Sequence, residues 1–385
     1  MIRKLLPAIV AFALLALAPA ALAPPANAAP LPQGFIGISP QGSLEVEDFE
    51  TMRRAGIRDM RLPLFWFTVE SERGRLDWTG FEKSVAGAAA EGIRVLPFVW
   101  GTPGWVAAKP EVEPVGSRLA RRSWMRFLRV AAARYGPRGR FWRQHPELPY
   151  RPMRRWEIWN EANIVSFSRN PHPGRFGKLM TISAQAIRRE DRGARILVGG
   201  LFGRPLQIPP NIDSADFVDR MYRVPGVRRA VDGIGLHPYV RFAREIWPQA
   251  TALRDVMRRN RDARARLYFT EVGWGSDGFE SRWERGVYGQ ARELHRSFAL
   301  IAKMRRRWNV GSVEWFSWMD AVTHCQFCDS SGLLTGEGEA KPSWYRFIHW
   351  TGGERDLVPR APLPLIPIER VSEPTAGAGG PGSSG

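Results

Sequence analysis

Between residues 34 and 350, short apolar runs alternate with longer stretches of helical pattern. Runs of strand character occupy 34–39, 59–64, 93–100, 155–159, 195–199, 231–237, 266–270 and 312–318. Helix-patterned stretches lie between them at 46–55, 81–92, 123–135, 176–189, 214–222, 246–258 and 284–307. Strand–helix alternation predicts parallel βαβ units. Eight such repeats predict an α/β protein with a single-domain (β/α)8 TIM barrel. The competing arrangement is an open doubly wound sheet. Against it, Gly34 and Gly37 lie inside the first run rather than after it, and the chain has neither a GxGxxG loop nor a P-loop.

Composition narrows the class. The chain is 44% hydrophobic and 24% charged, which excludes a mostly disordered or collagen-like protein. Two cysteines are too few for a disulfide-stapled miniprotein. The formal charge is +18, carried mainly by arginines spread along the sequence. That spread fits solubility or an arginine-biased genome, and it also fits an anionic polymer as a partner. No nucleic-acid-binding module is present, so a nucleic-acid partner is not expected.

Residues 1–28 read as a secretory signal peptide: Arg3 and Lys4, then an apolar run to about Ala18, then small-residue sites ending at Ala28. The run is shorter than the roughly 20 residues of a spanning helix, so no stable membrane insertion is expected after cleavage. The expected location is secreted. Residues 29–351 form the expected single (β/α)8 domain, and the Pro/Gly/Ser-rich stretch 352–385 an expected disordered tail. In an exported protein, Cys325 and Cys328 would close a short-loop disulfide. Their flanks look like loop rather than a redox strand–helix motif, and the two further ligands of a zinc site are missing.

Barrel chemistry sits at the C-terminal ends of the strands. Two of those ends carry a glutamate directly after an apolar run: Trp159-Asn160-Glu161 and Thr270-Glu271. Strand parity places Glu157, Trp159 and Glu161 on one side, and Leu267, Phe269 and Glu271 on one side. Taken singly, each glutamate could cap a helix or pair with an arginine. Taken together, two carboxyls at one barrel mouth are what glycosidic bond cleavage requires, one to protonate the leaving oxygen and one to attack. Trp66, Trp100 and Trp105 suit either sugar-stacking walls or core.

Trp159-Asn160-Glu161 resembles the fourth-strand Asn-Glu motif of the clan A retaining glycoside hydrolases. Thr270-Glu271-Val272-Gly273-Trp274 resembles that clan's seventh-strand nucleophile motif. The segments around Gly74 to Trp78, Gly92 to Phe98, Gly101 to Trp105 and Lys341 to Tyr345 are similar to families 5, 39 and 42. The resemblance implies Glu161 as acid/base and Glu271 as nucleophile. It implies substrate contacts from Asn160, Arg61, His237, Tyr239 and Trp318, with Arg61 holding the nucleophile ionised and Trp318 forming a platform under the sugar. It implies no cofactor and no metal. The expected activity is retaining β-glycoside hydrolysis of a poly- or oligosaccharide, an acidic polysaccharide among the candidates. A transglycosylase and a non-catalytic carbohydrate-binding barrel are the alternatives. The Cys325–Cys328 loop after the eighth run departs from the family pattern. Nothing in the sequence fixes the oligomeric state.

Overall fold

A computed structural model describes residues 31–204, 208–278, 280–323, 325–357 and 359. The expected signal peptide, 1–28, and most of the expected tail, 352–385, lie outside them. Eight parallel strands close in sequence order into a barrel: β1 (Ile36–Ile38), β2 (Asp59–Phe65), β3 (Arg94–Trp100), β4 (Arg155–Ile158), β5 (Arg195–Phe202), β6 (Gly233–His237), β7 (Arg266–Val272) and β8 (Val310–Trp315). Closure is made by β1 against β8, with Ile36 facing Val313 and Ile38 facing Trp315. The doubly wound alternative is thereby excluded. Each strand is followed by a principal helix: α1 (Val46–Arg54), α2 (Thr79–Ala90), α3 (Arg118–Tyr135), α4 (Pro173–Glu190), α5 (Ser214–Tyr222), α6 (Ile246–Arg259), α7 (Gly286–Trp308) and α8 (Pro342–Thr351). No helix among the described residues is long and apolar enough to cross a membrane.

The sequence chemistry explains these elements locally. α3 starts at Ser117, whose hydroxyl accepts from Ala120 N–H, and α5 starts at Asp213, whose carboxylate accepts from Ala215 N–H. α4 and α8 each carry Pro in their first turn, where a missing N–H costs nothing. α3 buries Ala120, Trp124, Phe127, Leu128, Ala131 and Tyr135, the three-and-four spacing of an inward stripe. Strands covered on both faces read as continuous apolar runs, as β5 and β6 do.

The barrel interior is layered. Leu96, Leu197 and Tyr268 cluster near its N-terminal end. Gly233 and Gly311 leave room for the Tyr268 ring. Above them, Arg61, Glu157 and Thr270 replace apolar side chains, so the polar site is built down into the barrel core.

Candidate active site

Arg61 on β2 is wholly buried and ties four elements together. Its Nε donates to Glu157 Oε2 (2.6 Å), its Nη1 to Glu271 Oε1 (2.6 Å) and to Ser39 Oγ (3.4 Å), and its Nη2 to Asn160 Oδ1 (2.7 Å). Its guanidinium carbon lies 4.0 Å from the centre of the Phe98 ring. The planar fork of arginine suits several carboxylate and amide acceptors at once.

The two glutamates reach this centre by different local devices. β4 ends at Ile158, and the chain then turns through left-handed backbone at Trp159 (φ 71°) and Glu161 (φ 39°). Such conformations cost of order 1–3 kcal/mol each and persist where surroundings enforce them. Here Trp159 N–H donates to Val99 O (2.8 Å), Glu161 N–H to Gly200 O (2.9 Å) and Trp159 Nε1 to Phe167 O (2.7 Å). Glu157 and Glu161 both face the site, but Trp159 turns away and packs against Trp124 of α3. Simple alternation therefore fails beyond Ile158. It fails on β7 too. Thr270 points inward to Glu157, while Phe269 lies against Trp308 of α7. The β7–β8 register shifts between Phe269 and Val272, and this irregularity brings Glu271 to the mouth beside Thr270.

His237, ending β6, sits between the two carboxyls, with Nδ1 2.8 Å from Glu161 Oε1 and 3.5 Å from Glu271 Oε2. One oxygen of Glu161 and one of Glu271 lie within 4.8 Å of each other and of a His237 ring nitrogen. Tyr239 donates its hydroxyl to Glu271 Oε2. His237 Nε2 faces Thr270 Oγ (3.1 Å), and Thr270 donates to Glu157 Oε1 (3.0 Å), which also accepts from Gly200 N–H (2.6 Å).

Burial, and then the Arg61 charge, push His237 well below its usual range, so the ring is neutral with one N–H. Thr270 has a single hydroxyl proton and gives it to Glu157. The network then assigns the imidazole proton to Nε2, donating to Thr270, and leaves Nδ1 an acceptor facing Glu161. An acceptor there matches a protonated Glu161. Burial, and then the charge of Glu271, raise the Glu161 carboxyl well above the usual range. Burial also raises Glu271, but Arg61 and the Tyr239 hydroxyl pull it back. The pair is thus split: Glu161 is raised further and is the better proton holder, and Glu271, beside the Arg61 cation, is the readier of the two to ionise.

A cleft of about 420 Å³ opens over the pair. Phe65, Phe98, Trp100 and Phe167 form one ring cluster in it, and Phe202, Tyr239 and Phe327 another. Trp100 thus lines the cleft, whereas Trp66 is wholly buried and Trp105 donates to Glu70 O (2.9 Å). Trp318 does not line it. Its ring packs on Trp344 of α8, its Nε1 donates to Asp48 on α1 (2.9 Å), and Phe316, two residues earlier, faces the cleft instead. Cys325 and Cys328 are joined by a disulfide that forms part of the wall.

Glu161, His237 and Glu271 have donor atoms close enough to hold a metal ion. Each is already engaged, and the Arg61 cation lies 2.6 Å from Glu271, an arrangement better suited to carboxylate ionisation than to a second cation. Glu157, Thr270, Gly200, Phe316 and Phe327 belong to the site but were not recognisable as site residues. The one available signal was Glu157, an acid inside an apolar strand four residues before Glu161.

The chain matches no protein-family model. Its barrel superposes on a family 39 glycoside hydrolase from Bacteroides cellulosilyticus WH2 with a TM-score of 0.60 at 17% identity, covering 82% of this chain and 63% of that one. It superposes on a GH39 β-xylosidase from Caulobacter crescentus with a TM-score of 0.58 at 19% identity, covering 85% and 73%. With xylanase 10B from Thermotoga maritima the TM-score is 0.57 at 16% identity, covering 83% and 95%. The chain has the barrel fold of these glycoside hydrolases. In sequence, 83 residues are 39% identical to a β-galactosidase from Thermus thermophilus, spanning 20% of this chain and 12% of that protein's length.

Proposed function

We propose that this chain is a secreted retaining β-glycoside hydrolase, with Glu271 as nucleophile and Glu161 as general acid/base. The observation that carries the reading is the carboxyl spacing: oxygens of the two buried glutamates lie within 4.8 Å. Retaining enzymes hold their carboxyls about 5–5.5 Å apart, whereas inverting enzymes leave roughly 6.5–9.5 Å for a water. The fold shared with glycosidases supports it.

In the first step, Glu271 attacks the anomeric carbon while Glu161 gives its proton to the departing oxygen. A glycosyl ester to Glu271 forms and the glycosidic bond breaks. In the second step, Glu161 takes a proton from water, which displaces Glu271 and releases the sugar. Asn160, anchored through its Oδ1 to Arg61, keeps its amide N–H groups for a sugar hydroxyl. Among the described residues no Lys or Arg lines the cleft, and Arg61 is saturated by its own partners, so we assign a neutral rather than acidic glycoside as the substrate. The leader pattern and the disulfide support export.

The test is hydrolysis of a panel of aryl β-glycosides and polysaccharides by purified protein. Glu271→Gln should lose several orders of magnitude in kcat, and a near-normal rate would refute the nucleophile assignment. Glu161→Ala should regain turnover of activated aryl glycosides when azide is added, giving the β-glycosyl azide. An α-azide product would refute retention.

A further inference from the structure

We propose that the end of the barrel opposite the cleft is a docking face for an anionic polysaccharide, separate from catalysis. Among the described residues the cleft has no cationic lining although the chain carries +18, so the excess charge is sought elsewhere. Part of it is collected where the strands begin. β3, β4, β5 and β7 each start with an arginine: Arg94, Arg155, Arg195 and Arg266. Parallel register sets Arg155 directly beside Arg195.

Two cavities of about 330 and 510 Å³ open on this end and share Gln33 and Arg94 as wall residues, so they lie side by side and together make one grooved face. Arg53, Arg58 and Arg151 line the first, and Arg154, Arg155 and Arg195 the second. The carboxylates in the groove are Glu91, paired with Arg53, and Asp59, which takes both Arg94 and Arg155. Arg151, Arg154 and Arg195 are exposed and make no ion pair among the described residues. Arg58 spends its Nη1 on backbone carbonyls. This leaves several guanidinium groups facing solvent side by side, each suited to bidentate capture of a carboxylate or phosphate.

The occupant is a polymer because single exposed charge pairs are worth little, and several repeats along one chain are needed to add up. A membrane surface is disfavoured by the lining. Its apolar members are Pro32 and the buried Phe35, which leaves nothing to insert into a bilayer. Nucleic acid is disfavoured because, among the described residues, no exposed aromatic ring lines the groove for bases to stack on. A polysaccharide bearing regularly spaced carboxylates fits both the charge and the groove.

The test is binding of the purified full chain to polygalacturonate at low and moderate salt, with dextran and anionic phospholipid vesicles in parallel arms. Binding to polygalacturonate should vanish by about 0.3 M salt and persist in Glu271→Gln. The triple variant Arg151→Glu/Arg154→Glu/Arg195→Glu should weaken it about thirtyfold. Arg118 and Arg122 are exposed at the start of α3, and exposed Arg169 lies in the β4–α4 connection, all at the cleft end; Arg118→Glu/Arg122→Glu/Arg169→Glu makes the same charge change there and should weaken binding less than about threefold. Should the first triple variant fail to fold, Arg195→Gln alone should still weaken binding about threefold. Equal losses in the two triple variants would reduce the effect to net charge and overturn the proposal. Equal affinity for dextran, capture by vesicles in place of polygalacturonate, or no binding at low salt would overturn it as well.

Discussion

Arg61 shows how much of this site depends on one side chain. Burial opposes its charge, but Glu157 and Glu271 outweigh burial and keep it protonated. Its partners in turn set protonation further out. Glu157 takes the Thr270 proton, Thr270 accepts from His237 Nε2, and His237 Nδ1 is left to accept from Glu161. Thr270 is therefore a positioning residue for the proton on Glu161. In Thr270→Val the imidazole loses its Nε2–H acceptor, and its proton shifts to Nδ1, where it donates to Glu161 and stabilises the carboxylate. The sign follows: the pKa of the acid falls, so the basic limb of kcat/KM moves to lower pH, by about one unit, while the acidic limb set by Glu271 stays. At neutral pH the rate drops roughly tenfold. A pH–rate profile checks this. Uniform loss with unmoved limbs would mean that Thr270 only fills space.

At the scale of elements, the site depends on places where strands stop being regular. Gly200 on β5 donates its N–H to Glu157 and accepts from Glu161 N–H, with the His237 ring where a side chain would go. A Cβ at Gly200 would overlap that ring. Gly200→Ala should therefore cost about 1–3 kcal/mol in stability and, by displacing His237, about a hundredfold in kcat. Calorimetry and steady-state kinetics read the two effects separately, and a variant with wild-type kcat would remove Gly200 from the site. The same irregularities mark how far the sequence could be read. All eight strand runs appear, because buried parallel strands leave apolar stretches that period and length reveal. Seven helices appear within a few residues of expectation. α8 was not foreseen, since Trp344, Tyr345, Phe347, Ile348 and Trp350 favour strand as readily as helix. Parity failed at Trp159, where left-handed backbone follows no pattern rule, and at Phe269, where a register shift leaves no trace in residue type. Trp318 was the wrong aromatic for the same reason: two positions decide which ring faces the cleft, and only the loop path after β8 sets them. Glu161 and Glu271 stand out in the sequence because each follows an apolar run, where burial without a partner is costly; Asn160, Arg61, His237 and Tyr239, which the structure gathers around the same two carboxyls, rest on the clan resemblance and not on the pattern.

Across the whole molecule, the barrel carries buried ionisable groups from one end to the other. Below the site, Glu314 on β8 is wholly enclosed beside Gly37, with Ser312 donating to its Oε1 (2.8 Å) and its Oε2 without a partner among the described residues. Burial, and then the charge of Asp59, push its carboxyl up to about 8. In the unfolded chain it titrates near the ordinary value of about 4.3. The folded state therefore holds this proton over a range in which the unfolded chain has released it. The contribution to stability is full below the unfolded value, declines as pH rises, and is spent once pH passes the folded value. Thermal stability of the wild type should thus fall between pH 5 and 9. Glu314→Gln, an isostere that cannot ionise, should remove this part of the slope. The variant should melt about 3 °C or more above the wild type at pH 9 and close to it at pH 5. Equal slopes for the two proteins would mean that Glu314 ionises freely in the core, with Arg155, which also acts on its charge, neutralising it.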